Sequence, residues 1–124
     1  MANILVVDDN EEILKLQTEI LSRSGHQVAT AANGDEAVRL FRAGQFDLVI
    51  TDLIMSDKEG IETIRDLRKL NPALKIIAMS GGGRLSAEDN LFIAQSLGAS
   101  HTLAKPFSSQ ELLEAVNRLL DAGK

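Results

Sequence analysis

The stretch NILVVDDN, residues 3–10, sets an apolar run, Ile4 to Val7, directly against two adjacent carboxylates, Asp8 and Asp9. Consecutive apolar residues with no polar alternation read as a strand buried on both faces, which is how strands of a parallel sheet covered by helices look. The acids that follow repel each other and need water. The strand must therefore end at a solvated edge of the sheet, and the pair at its mouth calls for an explanation.

The same pattern recurs along the chain. Further strand-like runs are Gln27–Thr30, Leu48–Thr51, Lys75–Met79 and Thr102–Ala104. The third and fourth runs are as apolar as the first, whereas the second and fifth are more polar and suit the two edges of a sheet. Amphipathic helix patterns alternate with them: Ile13, Leu16, Ile20 and Leu21 share one face, as do Ala37, Leu40 and Phe41, then Ile61, Ile64, Leu67 and Leu70, and finally Leu112, Val116, Leu119 and Leu120. Another helix, around Leu91–Leu97, is apolar all round. Asn10 and Asn33 stand as N-caps, and Ser56 with Glu59 and Ser108 with Glu111 have capping-box spacing. Gly25, Gly44 and Gly98 fall where helices should stop, and Asn71-Pro72 ends the third helix. This is (βα) repeated five times, an α/β fold with a doubly wound, five-stranded parallel sheet. Residues 1–124 are used by one domain, without linker, low-complexity segment or tail.

Composition narrows the function. With 44% hydrophobic residues the chain can bury a core, but with four Phe and no Trp or Tyr that core is aliphatic. The absence of cysteine removes disulfides, thiolate nucleophiles and thiolate metal sites and fits a reducing cytoplasm. No apolar run approaches the roughly 18–20 residues of a membrane helix, and the N-terminus lacks the pattern of a signal peptide. A net charge of −5 with no basic patch argues against direct nucleic-acid binding.

Ligands of open α/β sheets bind at the carboxyl ends of the strands. There the chain places Asp8 and Asp9 after the first run, Asp52 after the third, Ser80 after the fourth and Lys105 after the fifth. Any one of these acids could be a solvated charge favoured by a helix dipole; converging on one edge, the five make a site. Two carboxylates about 4 Å apart repel by roughly 4 kcal/mol at an effective dielectric of 20, and a hard dication removes that penalty. All-oxygen ligands in a small cluster suit Mg²⁺ that retains several waters. Mg²⁺ so held usually meets phosphate oxygens, for which Lys105 and the Ser80 hydroxyl are apt partners. If phosphoryl transfer is covalent, Asp52, alone at the end of the central run, is the acceptor.

With these residues in place, LVVDDN, DLVITDLIM, IIAMS and LAKPF, in this order, together with ANGDEA, resemble the receiver domain of two-component response regulators. The resemblance covers the whole chain and suggests a stand-alone, chemotaxis-regulator-like receiver with no output domain and a flavodoxin-like sheet of order 2-1-3-4-5. It implies that a histidine kinase or histidine phosphotransfer protein donates a phosphoryl group to Asp52. Mg²⁺ would be held by Asp9, Asp52 and the backbone carbonyl of Ile54, with Asp8 acting mainly through water. Lys105 would pair with the phosphoryl group, Ser80 would swing toward it, and the Lys105-Pro106 bond would be cis. The output would be a shift in the face formed by the fourth helix, fifth strand and last helix, where a downstream protein docks. Such a domain is a signalling phosphoacceptor in the cytoplasm rather than a turnover enzyme.

The chain also departs from the pattern. Thr102 occupies the position often held by Tyr or Phe, so an aromatic rotamer switch is ruled out there. Ser56 replaces a frequent Pro and can start a helix as a cap instead. SGGGRLSAED lengthens the loop after the fourth strand; Gly81–Gly83 within it reads as a hinge or a tolerated insertion. Asp47, Asp57, Glu59 and Asp66 read as surface or helix-start charges, with Asp57 and Glu59 close enough to the site to serve as outer groups, and His26 and His101 as ordinary residues of the weak strands. An alternative of another class is a small Mg²⁺-dependent phosphatase or phosphotransferase working through an aspartyl phosphate, although its usual D-x-D motif is here a contiguous D-D. A flavin-binding flavodoxin-like domain is disfavoured by acids in place of a phosphate loop and by the lack of Trp and Tyr.

Overall fold

The computed structural model describes residues 2–53, 60–80, 99–104 and 107–121. Five strands, β1 (Asn3–Val7), β2 (Gln27–Ala31), β3 (Leu48–Asp52), β4 (Lys75–Ser80) and β5 (His101–Ala104), alternate with helices α1 (Glu11–Arg23), α2 (Gly34–Ala43), α3 (Gly60–Leu70) and α4 (Ser109–Asp121). All strand pairs are parallel, and the sheet order is β2-β1-β3-β4-β5. The two more polar strands do form the edges. The helix expected around Leu91–Leu97, the cap at Ser56, the stop at Gly98 and the Gly81–Gly83 segment lie outside the described residues.

Alternation along each central strand feeds two cores, one on each face of the sheet. Ile4, Val6, Leu48, Ile50, Ile77 and Met79 pack under α1 and α4, against Leu21, Leu112 and Val116. Leu5, Val7, Val49, Ile76 and Ala78 pack on the other face, against Ala37 of α2 and Ile64 and Leu67 of α3. Burial on both faces is why these strands show no polar alternation.

The helix ends follow from local chemistry. The Asn10 side chain accepts hydrogen bonds from the N–H groups of Glu12 and Ile13, and that of Asn33 accepts from Glu36 at 2.8 Å. Ser108 and Glu111 cap reciprocally: Glu111 N–H donates to the Ser108 hydroxyl at 3.0 Å and Ser108 N–H to the Glu111 carboxylate at 3.2 Å. Helix α1 closes with Gly25 at φ 92°, where Gly25 N–H bonds the Ser22 carbonyl and His26 N–H the Leu21 carbonyl, a paired closure that needs a left-handed residue. After α3, Ala73 N–H donates to the Asn71 side chain at 3.0 Å, so Asn71-Pro72 turns the chain as expected.

Two helix faces differ from the sequence pattern. Leu16 is 54% exposed and Leu70 is 40% exposed, although helical spacing sets each on the apolar face of its helix. On α1 the apolar arc is wider than its contact with the sheet, and the sheet takes the side that carries Gln17 and Leu21. Gln17 is buried in the core; its amide donates to the Met79 sulfur at 3.2 Å, and its Oε1 has no hydrogen-bond partner among the described residues. Periodicity could not single out Gln17, because only three-dimensional contact admits an amide into an apolar stripe.

Candidate metal centre

The sheet register fixes the site. Val7 is level with Thr51, so Asp8, the next residue after β1, sits beside Asp52, the last of β3. Asp52 in turn is level with Met79, whose successor Ser80 ends β4, and Ser80 is level with Ala104. Three strand ends thus reach one edge in step, and Lys105 follows directly on the fourth. Asp8 N–H donates to the Ala31 carbonyl at 3.1 Å and Leu53 N–H to the Met79 carbonyl at 2.9 Å, which extends the ladder one residue past the strands into the site.

Asp8, Asp9 and Asp52 each direct a carboxylate oxygen into one cluster, with these atoms all within 4.8 Å of one another. Asp8 is buried and Asp52 is 6% exposed, while Asp9 is exposed. One carboxylate oxygen of Asp8 accepts the N–H of Asn10 at 2.9 Å, a local turn that aims the chain into α1. Asn10 therefore serves twice, ordering Asp8 through its backbone and starting α1 with its side chain. The Asp-x-Asn spacing carries that signal, which capping alone did not reveal. The Thr51 hydroxyl donates to the Asp52 carbonyl at 3.1 Å and stiffens the backbone there. Three hard oxygen donors this close, two of them largely removed from water, repel unless a cation lies among them. The donor set fits Mg²⁺ and offers nothing to a soft metal.

The Ser80 backbone reaches this edge as expected. Ile54, Ser56, Asp57, Glu59, Lys105 and Pro106 lie outside the described residues. Asp47 and the two histidines do not belong to the cluster. His26 lies one residue before β2, where its Nδ1 accepts the N–H of Ala2 at 3.2 Å, and His101 lies on β5. Burial lowers the pKa of both imidazoles, helped by the chain's amino terminus for His26 and by Arg118 for His101.

The model of the response regulator receiver domain matches residues 4–117. The chain belongs to this family. The sequence of the receiver domain is 32% identical to the chemotaxis protein CheY of Thermotoga maritima over 94% of this chain and 95% of that protein. It is 39% identical to the transcriptional regulator NtrC of Azospirillum brasilense, covering 98% of this chain but only 24% of NtrC, so it spans about a quarter of that relative. Among solved structures, the receiver domain is similar to the response regulator TrrA of Thermotoga maritima in complex with Mg²⁺-BeF, with a TM-score of 0.83 and 35% identity over 96% of this chain and 99% of that one. Two-component signalling is therefore the setting of this domain, and the aspartate cluster is compatible with phosphorylation and Mg²⁺. These matches do not favour the phosphatase alternative. No helix among the described residues is long and apolar enough to cross a membrane.

Proposed function

We propose that this chain acts as a response regulator receiver that accepts a phosphoryl group on Asp52 from the phosphohistidine of a histidine kinase or histidine phosphotransfer protein. The observation that carries this reading is the convergence of Asp8, Asp9 and Asp52, with carboxylate oxygens within 4.8 Å, at the carboxyl edge of a receiver sheet. Asp52 stands between the acid pair and the Ser80 strand end, which gives it the central place in the cluster.

Asp9 and Asp52, with the backbone carbonyl of Ile54, would hold Mg²⁺, and Asp8 would act mainly through water, its buried carboxylate already engaged with Asn10. A Mg²⁺ ion held by these residues would supply positive charge for the acids and the incoming phosphoryl oxygens. An Asp52 carboxylate oxygen attacks phosphorus while the N–P bond of phosphohistidine breaks. The electron pair of that bond returns to the imidazole nitrogen, and Asp52 becomes an acyl phosphate. Lys105 and the Ser80 hydroxyl would pair with phosphoryl oxygens. Signal output is a population shift of the face that includes β5 and α4, read by a downstream protein or passed on in a relay. With Thr102 in β5, coupling to that face runs through Ser80 and groups smaller than an aromatic ring. The domain works in the cytoplasm, as a phosphoacceptor rather than a turnover enzyme, without direct contact to nucleic acid or membrane.

Incubation of the protein with acetyl phosphate and Mg²⁺, followed by mass spectrometry of the intact chain, tests this reading. One base-labile phosphoryl group is expected, and D52N should abolish it. Full modification of D52N, or turnover of a diffusible phosphate ester, overturns the assignment.

A further inference from the structure

Strand β2 is an edge of the sheet, and its sequence, QVATA, contains no charge and no proline. Its register with β1 runs through five consecutive pairs without a bulge. Soluble proteins ordinarily guard a sheet edge with one of these devices, because an open row of backbone groups invites another strand. The two sides of β2 are distinct. Gln27 N–H donates to the Ala2 carbonyl at 2.9 Å, and the Ala31 carbonyl accepts Asp8 N–H at 3.1 Å. In a ladder the direction of the backbone groups alternates, so residues 27, 29 and 31 bond toward β1. The N–H and C=O groups of Val28 and Thr30 point away from the sheet.

Space beside the strand matches its pleat. On the α1 face, Val28 and Thr30 line a groove of about 380 Å³ with Leu14, Lys15, Thr18 and Glu19. On the opposite face, Gln27 and Ala29 line one of about 270 Å³ with Gly44 and Phe46. A strand laid along β2 has a groove for each of its alternating sets of side chains, the arrangement by which edge strands accept another chain.

We propose that the β2 edge pairs antiparallel with β2 of a second copy of this chain, about a two-fold axis at Ala29, to give a continuous ten-stranded sheet. In this register Val28 of one copy faces Thr30 of the other, and each such pair exchanges two backbone hydrogen bonds, four in all. The two Ala29 residues meet on the axis, where the strands come nearest and a methyl group is readily accommodated. Charge favours a second copy as the occupant. The groove rim carries Lys15 and Glu19, one helical turn apart, and two antiparallel α1 helices bring Lys15 of each copy toward Glu19 of the other. In one copy Glu19 pairs with Arg23 at 2.6 Å, but these side chains are 58% and 79% exposed, and so open a pair contributes little and leaves the carboxylate able to serve both. A self-complementary patch of this kind closes as a dimer. The acidic edges then face opposite ways, and both stay open to a phosphodonor.

Sedimentation equilibrium of the full chain over a dilution series, without phosphodonor, tests the dimer. The wild-type chain is expected to pass reversibly between monomer and dimer. T30P removes an N–H that points away from β1, so it should leave the circular dichroism spectrum intact and weaken association by at least about tenfold. Should T30P fold poorly, T30K sets two like charges near the axis and must weaken association in its place. K15E should weaken the dimer, and K15E/E19K should restore it. A chain that is monomeric at every concentration overturns the proposal and leaves the edge bare or open to a peptide of another protein. A dimer of undiminished affinity in T30P, or in a well-folded T30K, overturns it as well.

Discussion

Strand β3 carries an aspartate at each end, and the two have opposite fates. Asp47, just before the strand, accepts Asn3 N–H on its carboxylate at 2.9 Å and donates its own N–H to the Asn3 carbonyl at 2.8 Å, so it ties the amino end of β1 to β3. Asp52, at the carboxyl end, is gathered with Asp8 and Asp9 into a cluster of like charge. Other polar groups at the amino edge behave as Asp47 does. Lys75 Nζ donates to the Leu119 carbonyl near the end of α4, and Arg68 donates to the carbonyls of Pro72 and Leu74. Ser100 accepts Ile76 N–H on its hydroxyl at 3.2 Å and donates its own N–H to the Ile76 carbonyl at 2.7 Å. One edge of the sheet uses its polar groups to close the fold; the other gathers three carboxylates within 4.8 Å of one another. Acids that converge in this way set that edge apart as the candidate site.

Breaking the carboxyl edge should have the largest effect. Mg²⁺ is expected to raise the thermal midpoint of the wild-type protein, by up to about 2.7 kcal/mol of stabilisation at a hundredfold excess over its dissociation constant. D9N should weaken that affinity by at least about tenfold in a calorimetric titration with MgCl₂, while D47A leaves the Mg²⁺ response unchanged. An equal loss in both variants would erase the distinction between the edges. At the amino edge, D47A should instead lower stability by about 0.5–1.5 kcal/mol in urea denaturation and leave acetyl-phosphate labelling intact.

Gln17 lies between these regimes, a buried amide beneath Met79, the residue level with Asp52. Q17L removes a carbonyl oxygen with no partner among the described residues and should stabilise the protein by about 1 kcal/mol, measured by the same denaturation. A marked loss of stability would show that the amide bonds a group beyond the described residues. The smallest effect concerns His26 at the amino edge. Burial depresses its folded-state pKa below the ordinary 6.5, so the unfolded chain binds the extra proton more readily. Stability from this residue is therefore complete above pH 6.5 and is lost as pH falls through that value toward the folded pKa. H26Q should flatten part of this decline in thermal melts across a pH series, and His101, shifted in the same direction, accounts for a further part.

Much of this was legible in the residues, for reasons that differ from element to element. The unbroken runs of β1, β3 and β4 disclose burial on both faces, and with parallel pairing the acids at their ends must share an edge. Asn10, Asn33 and Ser108 announce their helices because a cap satisfies N–H groups no other residue can reach. The strand ends proved one residue longer at Asp52 and Ser80, since the ladder continues through polar residues whose backbone is still paired. Leu16 and Leu70 misled because an apolar residue at helical spacing reports the helix and not the width of what covers it. The inward turn of Gln17 is fixed by Met79, more than sixty residues away, and no local pattern encodes it.

The register also gives the site a timing. Asp8 and Asp52 become neighbours only once β1 and β3 have paired, across some forty intervening residues, and the Ser80 end of β4 joins only when a third strand is added. Such distant parallel pairings are late and cooperative events in folding. A nascent or partly unfolded chain holds the same aspartates but not the cluster, so under the proposed function it would lack a competent acceptor. Phosphorylation would therefore report a completed sheet, and a chain without paired β1 and β3 would not signal.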